Sequence, residues 1–417
     1  MKFGNFIIFL CLVIFTTGLF SQELIKDGPF YKTTITKEFK ISSGGNLEMR
    51  GISGDISVTS WNQNKVQVVE NIRMEVYTEG EARKIIEHIV GQYNTSGNTL
   101  TIAGSNGRSW IKQDFKIQVP KSFNMRIQTS GGDISVDQID GEINLNTSGG
   151  DISVDKIKGD VNVTTSGGDL SLDNITGILK GHTSGGDIDI RQLTGTGDVK
   201  TSGGSITVRH ATETLKLDTS GGDIEVEDVG ADLRAHTSGG SIDVVNCSGN
   251  ADLNTSGGDI NLRMIKGKID AHTSGGDIEG RVFEEPLKVH TSGGDIELGD
   301  VKASISARTS GGNIEVDFIQ SDFSKPHSID LGTSGGNIQL TIPAGLPATI
   351  DAEIHLGNRR RYLPRYDIYS DFPLSKEKTE DDSGNIILRS SGDINGGGDL
   401  IKLRTSAGEI RILKSKN

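Results

Sequence analysis

Cysteine is almost missing from this chain of 417 residues. It has two, and Cys11 falls in an apolar N-terminal stretch that reads as a removable leader. Cys247 then stands alone, no intrachain disulfide can form, and the fold must hold by packing even in an oxidising compartment. Aromatic residues are 5% of the chain, and Phe283 is the only one between Thr129 and Gly312. A sugar-binding platform built from aromatic rings is therefore not expected there. Positive charge is also in deficit. The formal net charge is −13, which argues against nucleic acid and against anionic membranes as partners. Helical spacing of apolar residues is rare, and no run outside the leader is long enough to cross a membrane.

The leader occupies residues 1–21. Lys2 supplies the positive start, "FIIFLCLVIF" the apolar stretch, and "TTGLFSQ" the small residues for cleavage near Ser21 or Gln22. Cys11 lacks the preceding small residues of a lipoprotein box, so no lipid anchor is expected. Export, to the periplasm, the outer surface or the medium, is the expectation.

Glycine, at 56 residues, is in excess, and its placement is periodic. "TSGG" begins at Thr129 and returns every 18 residues up to Thr309, then once more at Thr333 after "SDFSKPHS" lengthens one step. Looser copies start at Ser42 ("SSGGNL"), Ser390 ("SSGDI") and Thr405 ("TSAGEI"). With Thr147 as position 1, apolar residues fall at Ile152 (6), Val154 (8), Ile157 (11), Val161 (15) and Val163 (17). Alternation within each run marks strands. Parity puts the threonine inside as well, and requires one phase slip in "SGG" and another at positions 9–10. Two glycines with positive φ would suit the first slip. A frequent glycine at position 13 suggests a further corner. The expected fold is all-β: a parallel β-solenoid of 18-residue coils with two or three faces, right-handed on chirality grounds. A left-handed hexapeptide helix would need an apolar residue every six, which this pattern does not supply.

Position 5, the last residue of "TSGGD", is Asp, Ser or Asn. All three can accept a hydrogen bond from backbone N–H at a turn, but only Asp carries the charge a cation needs. A corner brace is expected rather than calcium. Calcium-binding nonapeptide repeats place Asp at both corners on a shorter step. His182, His236, His272 and His290 all fall at position 18, a polar strand face. Only His272 and His290 are on adjacent coils, and Asn254 and Arg308 flank them, so a third metal ligand is missing. Ice binding would need outward threonine rows, and these threonines point inward. Cys247, at position 11, reads as a small buried hydrophobe. No metal, cofactor or catalytic residue is expected.

The remaining organisation is an N-terminal β-rich cap (22–128) with a helix over about 79–91, the regular array (129–340), and irregular C-terminal coils (341–417) with a long polar loop (357–382). Thr78 and Glu81 form a capping box for the helix. Ala82, Ile85, Ile86, Ile89 and Val90 line one face, which could cover the open end of the solenoid. "GISGDISVTSW" (51–61) and "KVQVVENIRMEV" (65–76) look like edge coils.

"GDISVTSW", "IQVPKSFNMRIQTSGGDISV", the repeated "TSGGDI" and "INGGGDLIKLRTSAGEI" together resemble the bacterial putative-adhesin domain family, similar to autotransporter adhesin head domains. The resemblance covers nearly the whole mature chain and implies a secreted β-solenoid. It brings no catalytic residues.

Three functions remain open: a non-enzymatic structural or adhesive envelope protein, a periplasmic protein that binds an envelope component or sensor, and a polysaccharide-active enzyme. The unbroken step argues against the enzyme, because enzymatic β-helices build clefts from inserted loops. The candidate binding surface for a cell-surface or envelope partner is "GNRRRYLPRYDIYSDF", with Arg359, Arg360, Arg361, Tyr362, Arg365 and Tyr366. Arg and Tyr are favoured at binding hot spots.

Overall fold

The computed structural model describes residues 23–90, 92–104, 110–357, 366–380 and 382–415. Its regular structure is all strand except for the helix Glu79–Val90. Each repeat supplies two strands. In the coil that begins at Thr147, Ile152–Lys158 enters one sheet, A, and Val161–Thr164 enters the other, B. Both pair in parallel with their counterparts 18 residues on: Ile152 lies opposite Leu170 and Val161 opposite Leu179. Stacked in this way, the coils form a parallel β-solenoid with two faces.

The five expected inward positions form the core. Ile152, Val154, Ile157, Val161 and Val163 are each at most 1% exposed, and each fully buried side chain of this kind contributes about 1.5–3 kcal/mol. Thr147 joins them inside. Cys247 is buried between Val229 and Ile265, and burial pushes its thiol pKa up.

Both phase slips occur, by different means. At position 10 every coil from Gln138 to Asp300 has one left-handed residue, with φ between 51° and 67°. The ladder skips this residue (Asp155 pairs with Asp173, then Ile157 with Ile175), so the strand bulges and returns position 11 to the interior. Asn174, Asp228, Asn246 and Asp300 suit that conformation, whereas the β-branched Val282 does not. The Thr309 coil omits the residue, and Phe318 moves up opposite Val301.

At "SGG" the expected positive φ is absent: neither Gly149 nor Gly150 is left-handed. Close approach explains the second glycine instead. A Cβ on Gly150 would lie 2.2 Å from the Gly132 carbonyl oxygen, whereas one on Gly149 would meet nothing nearer than 3.8 Å. The two glycines are therefore not equivalent. At position 13, Gly159 combines both demands, with φ +144° and 2.2 Å to the Gly141 oxygen.

Two of the looser copies are not corners. Gly45, in "SSGGNL", opens a sheet B strand, and Ser390 lies inside the antiparallel strand Ile386–Ile394. "TSAGEI" is a true coil, but it is out of chain order. Asp399–Thr405 sits between Ile329–Gly332 and Ala348–Gly357, and Ile410–Lys414 sits between Ile338–Ile342 and Ile368–Ser370. Sheet B then continues through Ile386–Ile394 to Ser375–Glu380, whose six residues are all exposed. Its Lys and Glu side chains blunt that edge.

At the other end, sheet A runs past Ile56–Trp61 to Ile111–Pro120, Val66–Glu75, Phe30–Phe39 and Ile25–Asp27. The helix packs Ala82 and Ile86 against Tyr31, Ile35, Ile72, Met74 and Ile111. The side chains of Ile89 and Val90 lie outside the description. The capping box is formed: Glu81 N–H donates to Thr78 Oγ1 (3.3 Å) and Thr78 N–H donates to Glu81 Oε2 (3.2 Å).

The asymmetry of the glycine pair is measurable. Gly150→Ala should destabilise by at least ~2 kcal/mol, since two backbones must part, and Gly149→Ala by less than ~0.5 kcal/mol. Chemical denaturation of both variants checks this, and equal losses would refute the close-approach account.

Candidate functional site

The repeated phrase was the first candidate, and its geometry is structural. Each Asp at position 5 accepts the backbone N–H of the same position in the next coil. Asp169 N–H donates to Asp151 Oδ1 at 2.8 Å and Asp277 N–H to Asp259 Oδ1 at 2.8 Å. Ser205 and Ser241 accept through Oγ (3.2 and 3.1 Å), and Asn313 through Oδ1 (2.9 Å). The ladder reaches both caps, from Asp114 under Asp55 to Asn337 under Glu409. Position 1 carries a second ladder. Thr165 Oγ1 donates to the Gly150 oxygen of the preceding coil (2.9 Å) and accepts Gly168 N–H of its own coil (3.3 Å). Parity placed these threonines inside; their two-way bonding was not read from sequence, although a buried hydroxyl next to "GG" was the available signal.

The histidines lie on the outer face of sheet B. His272 and His290 stack with ring centroids 5.0 Å apart and planes 6° from parallel. Burial, and then the neighbouring His272, hold the His290 pKa below its usual value. Asn254 and Arg308 occupy the adjoining strands. Among the described residues, no three His, Cys, Asp or Glu side chains gather to hold a metal.

Of the segment singled out for binding, Arg359, Arg360, Arg361, Tyr362 and Arg365 lie outside the described residues. Tyr366 is half-buried against the core. The expected loop 357–382 is in part strand, at Ile368–Ser370 and Ser375–Glu380. The first of these pairs with Ile410–Ile412, and the buried ring of Phe372 fixes the chain between the two. Tyr369 remains 48% exposed, with Arg411 5.7 Å and Lys376 5.9 Å from its ring. Among the described residues of the segment it is the exposed aromatic ring.

One buried titratable group was not anticipated. Glu70 separates the main core from the smaller core under the helix and is fully buried. It accepts from Gln113 Nε2 at 2.6 Å and from the Tyr93 hydroxyl. Tyr93 stacks on Phe39, and Lys37 sits 4.1 Å over its ring. Burial raises the Glu70 pKa, and the hydrogen bonds and the Lys37 charge partly offset this. Burial likewise lowers the Lys37 pKa and pushes the Tyr93 pKa far up. Its partners make it an internal polar tie between Val66–Glu75, Ile111–Pro120 and Tyr93–Ser96.

Residues 54–246 and 230–395 each match the Toastrack DUF4097 family. The chain belongs to that family. No curated protein matches it. Among solved structures it is similar to a putative adhesin from Bacteroides fragilis, at 17% identity over 74% of this chain and 96% of that one (TM-score 0.20). A putative adhesin from Parabacteroides merdae matches at 12% identity over 74% and 95% (TM-score 0.19). A putative cell adhesion protein from Clostridium sporogenes matches at 6% identity over 92% and 100% (TM-score 0.14). TM-scores this low support no inference of shared geometry. The Toastrack match accords with the adhesin-domain resemblance read from the motifs.

Asp259→Asn should stay within ~0.5 kcal/mol of the parent, whereas Asp259→Ala should lose ~0.5–1.5 kcal/mol, because Asn keeps the acceptor for Asp277 N–H. Calcium or chelator should leave the melting temperature unchanged, and a clear rise with calcium would refute the brace. For Glu70, a raised folded pKa means its contribution is full below the ordinary glutamate value and is lost as pH rises through the folded value. Glu70→Gln should therefore flatten the fall in thermal stability across that window and melt higher than the parent above it. A variant that melts lower at every pH would show that the carboxylate itself is needed.

Proposed function

We propose that this Toastrack protein is an exported, non-catalytic rod of the bacterial envelope, structural and adhesive, with recognition concentrated at its C-terminal end. The observation that carries the reading is where the repeated polar groups go. The Asp and Thr of each coil are committed to the backbone of neighbouring coils, so the most repeated polar chemistry is occupied inside the scaffold. What distinguishes one part of the surface from another is the C-terminal segment, rich in Arg and Tyr. It runs from Gly357 to Asp382 and includes the exposed Tyr369. An anionic envelope or cell-surface component is the partner whose charge suits Arg359, Arg360, Arg361 and Arg365.

Replacing Arg359, Arg360 and Arg361 by Ser should leave the circular dichroism and melting temperature unchanged and weaken attachment to cells. The loss should shrink at high salt, where charge attraction is already screened. If the variant attaches like the parent, recognition lies elsewhere. Surface protease accessibility separates this reading from a protein that works inside the periplasm.

A further inference from the structure

One coil of the rod stands out of chain order, and it fills a slot. One wall of the slot is Ile329–Gly332 with Ile338–Ile342, and the other is Ala348–Gly357 with Ile368–Ser370. The filler is Asp399–Thr405 with Ile410–Lys414. Ile401, Leu403, Ile410 and Ile412 are fully buried in it. Thr405 Oγ1 donates to the Gly336 oxygen (2.8 Å), and Glu409 N–H donates to Asn337 Oδ1 (2.8 Å). Gly408 lies so close to the wall that a Cβ would fall 2.0 Å from the Gly336 oxygen. His327 N–H donates to Asp399 Oδ2 (2.7 Å). Each of these contacts is made to residues 327–370.

A regular coil runs on directly into the coils it stacks against. This one is entered from the antiparallel strand Ile386–Ile394 through a short turn, Asn395–Gly398. The turn steps over the start of Ala348–Gly357, because Ala348 pairs with Ile394 on one side and with Asp399 on the other. Its first three residues are left-handed: Asn395 (φ 50°), Gly396 (φ 97°) and Gly397 (φ 78°). Asn395 Nδ2 latches the turn by donating to the oxygens of Ala344 (3.0 Å) and Leu346 (2.8 Å). Extended, the same residues span about 13–14 Å, enough to carry the coil into an adjacent molecule. A filler must bring apolar side chains at four inward positions, a glycine against Gly336 and an N–H for Asn337. "TSAGEI" brings the last two, and each copy holds one such coil and one such slot.

We propose that two copies of this chain exchange this coil, each filling the slot of the other, with Asn395–Gly398 as the hinge. The exchange keeps every contact of the coil and replaces the left-handed turn by extended chain. Because it is reciprocal, the pair is two-fold and closed. It joins two rods at their C-terminal ends and sets two copies of the segment 357–382 at one junction. The inference rests on strand order and the hinge, and it does not depend on what that segment recognises.

Disulfide trapping in the full chain tests it. Thr341 and Leu413 are partners across one wall of the slot, and both are half-buried on sheet A. Adjacent strands hold Cα atoms at a separation that a disulfide bridges. Chains carrying Thr341→Cys and chains carrying Leu413→Cys, with tags of different size, are co-expressed in one cell and purified without unfolding. Oxidation should give a disulfide dimer with one chain of each kind on a denaturing gel, and each variant expressed alone is the blank. Cys247 is buried and takes no part. A chain with both substitutions shows that the pair can bond: it should close within chains in the single-copy fraction and between chains in the dimer fraction. Asn395→Ala removes the latch from the unexchanged form alone, so it should raise the association constant on the order of tenfold, read by sedimentation velocity. The proposal is overturned if the double variant bonds only within chains while the co-expressed pair gives no mixed dimer. It is overturned equally if the Asn395→Ala chain dimerises no more than the parent. If either cysteine variant fails to fold by circular dichroism, Gln339→Cys with Arg411→Cys, partners on the same two strands, replaces the pair.

Discussion

The approach of backbone to backbone at position 4 sets the spacing of everything else in the array. Gly150 lies against Gly132, and Gly168 against Gly150, so closely that a Cβ at either would fall about 2 Å from a carbonyl oxygen. Only there can the corners follow each other at the strand separation that the two sheets require. The neighbouring residues answer needs that this contact creates. The carbonyl of Gly150 is taken by Thr165 from inside. The N–H of Asp169, the residue after the close-packed Gly168, is taken by Asp151 from outside. Thr, Gly and Asp in the phrase thus serve one purpose, which is to let a corner stack on a corner with its polar backbone groups satisfied.

Much of this was legible because the repeat multiplies a weak signal. One apolar alternation over four residues says little, but eleven at a fixed step give the coil length, the inward positions and the existence of two slips. The mechanism of the slips was less legible. A pair of glycines is compatible with positive φ and with close contact, and sequence does not separate the two. At position 10 the left-handed residue is Gln, Lys, His, Met or Val more often than Asn or Asp, so no residue type advertises it. At the caps the period is lost. "SSGGNL" and "SSGDI" keep the phrase without the corner, because their strands belong to other sheets or directions. Of the candidate surface, only Tyr366 among the named residues is described, and its ring turns toward the core.

The core also tolerates exceptions by exchange between lanes. Gly280 stands at position 8, where other coils place a branched residue, and the ring of Phe283 from position 11 occupies the vacated space. A Cβ on Gly280 would lie 2.5 Å from Phe283 Cζ. The single aromatic residue between Thr129 and Gly312 is therefore explained by a missing side chain three residues earlier. Such paired changes conserve the volume of a layer, and the register of the coil is undisturbed, with Ile278 opposite Ile296 and Phe283 opposite Val301.

The coil built from the last residues lies between two coils that precede it in the chain. A polypeptide emerging N-terminus first can stack each repeat on the one before, up to Ile338–Ile342, with only short loops to close. The next coil, Ala348–Gly357 with Ile368–Ser370, has no such option. Its proper neighbour is Asp399–Thr405 with Ile410–Lys414, which has not yet appeared. If it stacks early, it occupies the slot that the last coil must fill. Completion of this end is thus a late, non-local event, closed by contacts such as Glu409 N–H to Asn337 Oδ1 across 72 residues. The rod grows like a column of coins along most of its length, but its end is fastened like a clasp.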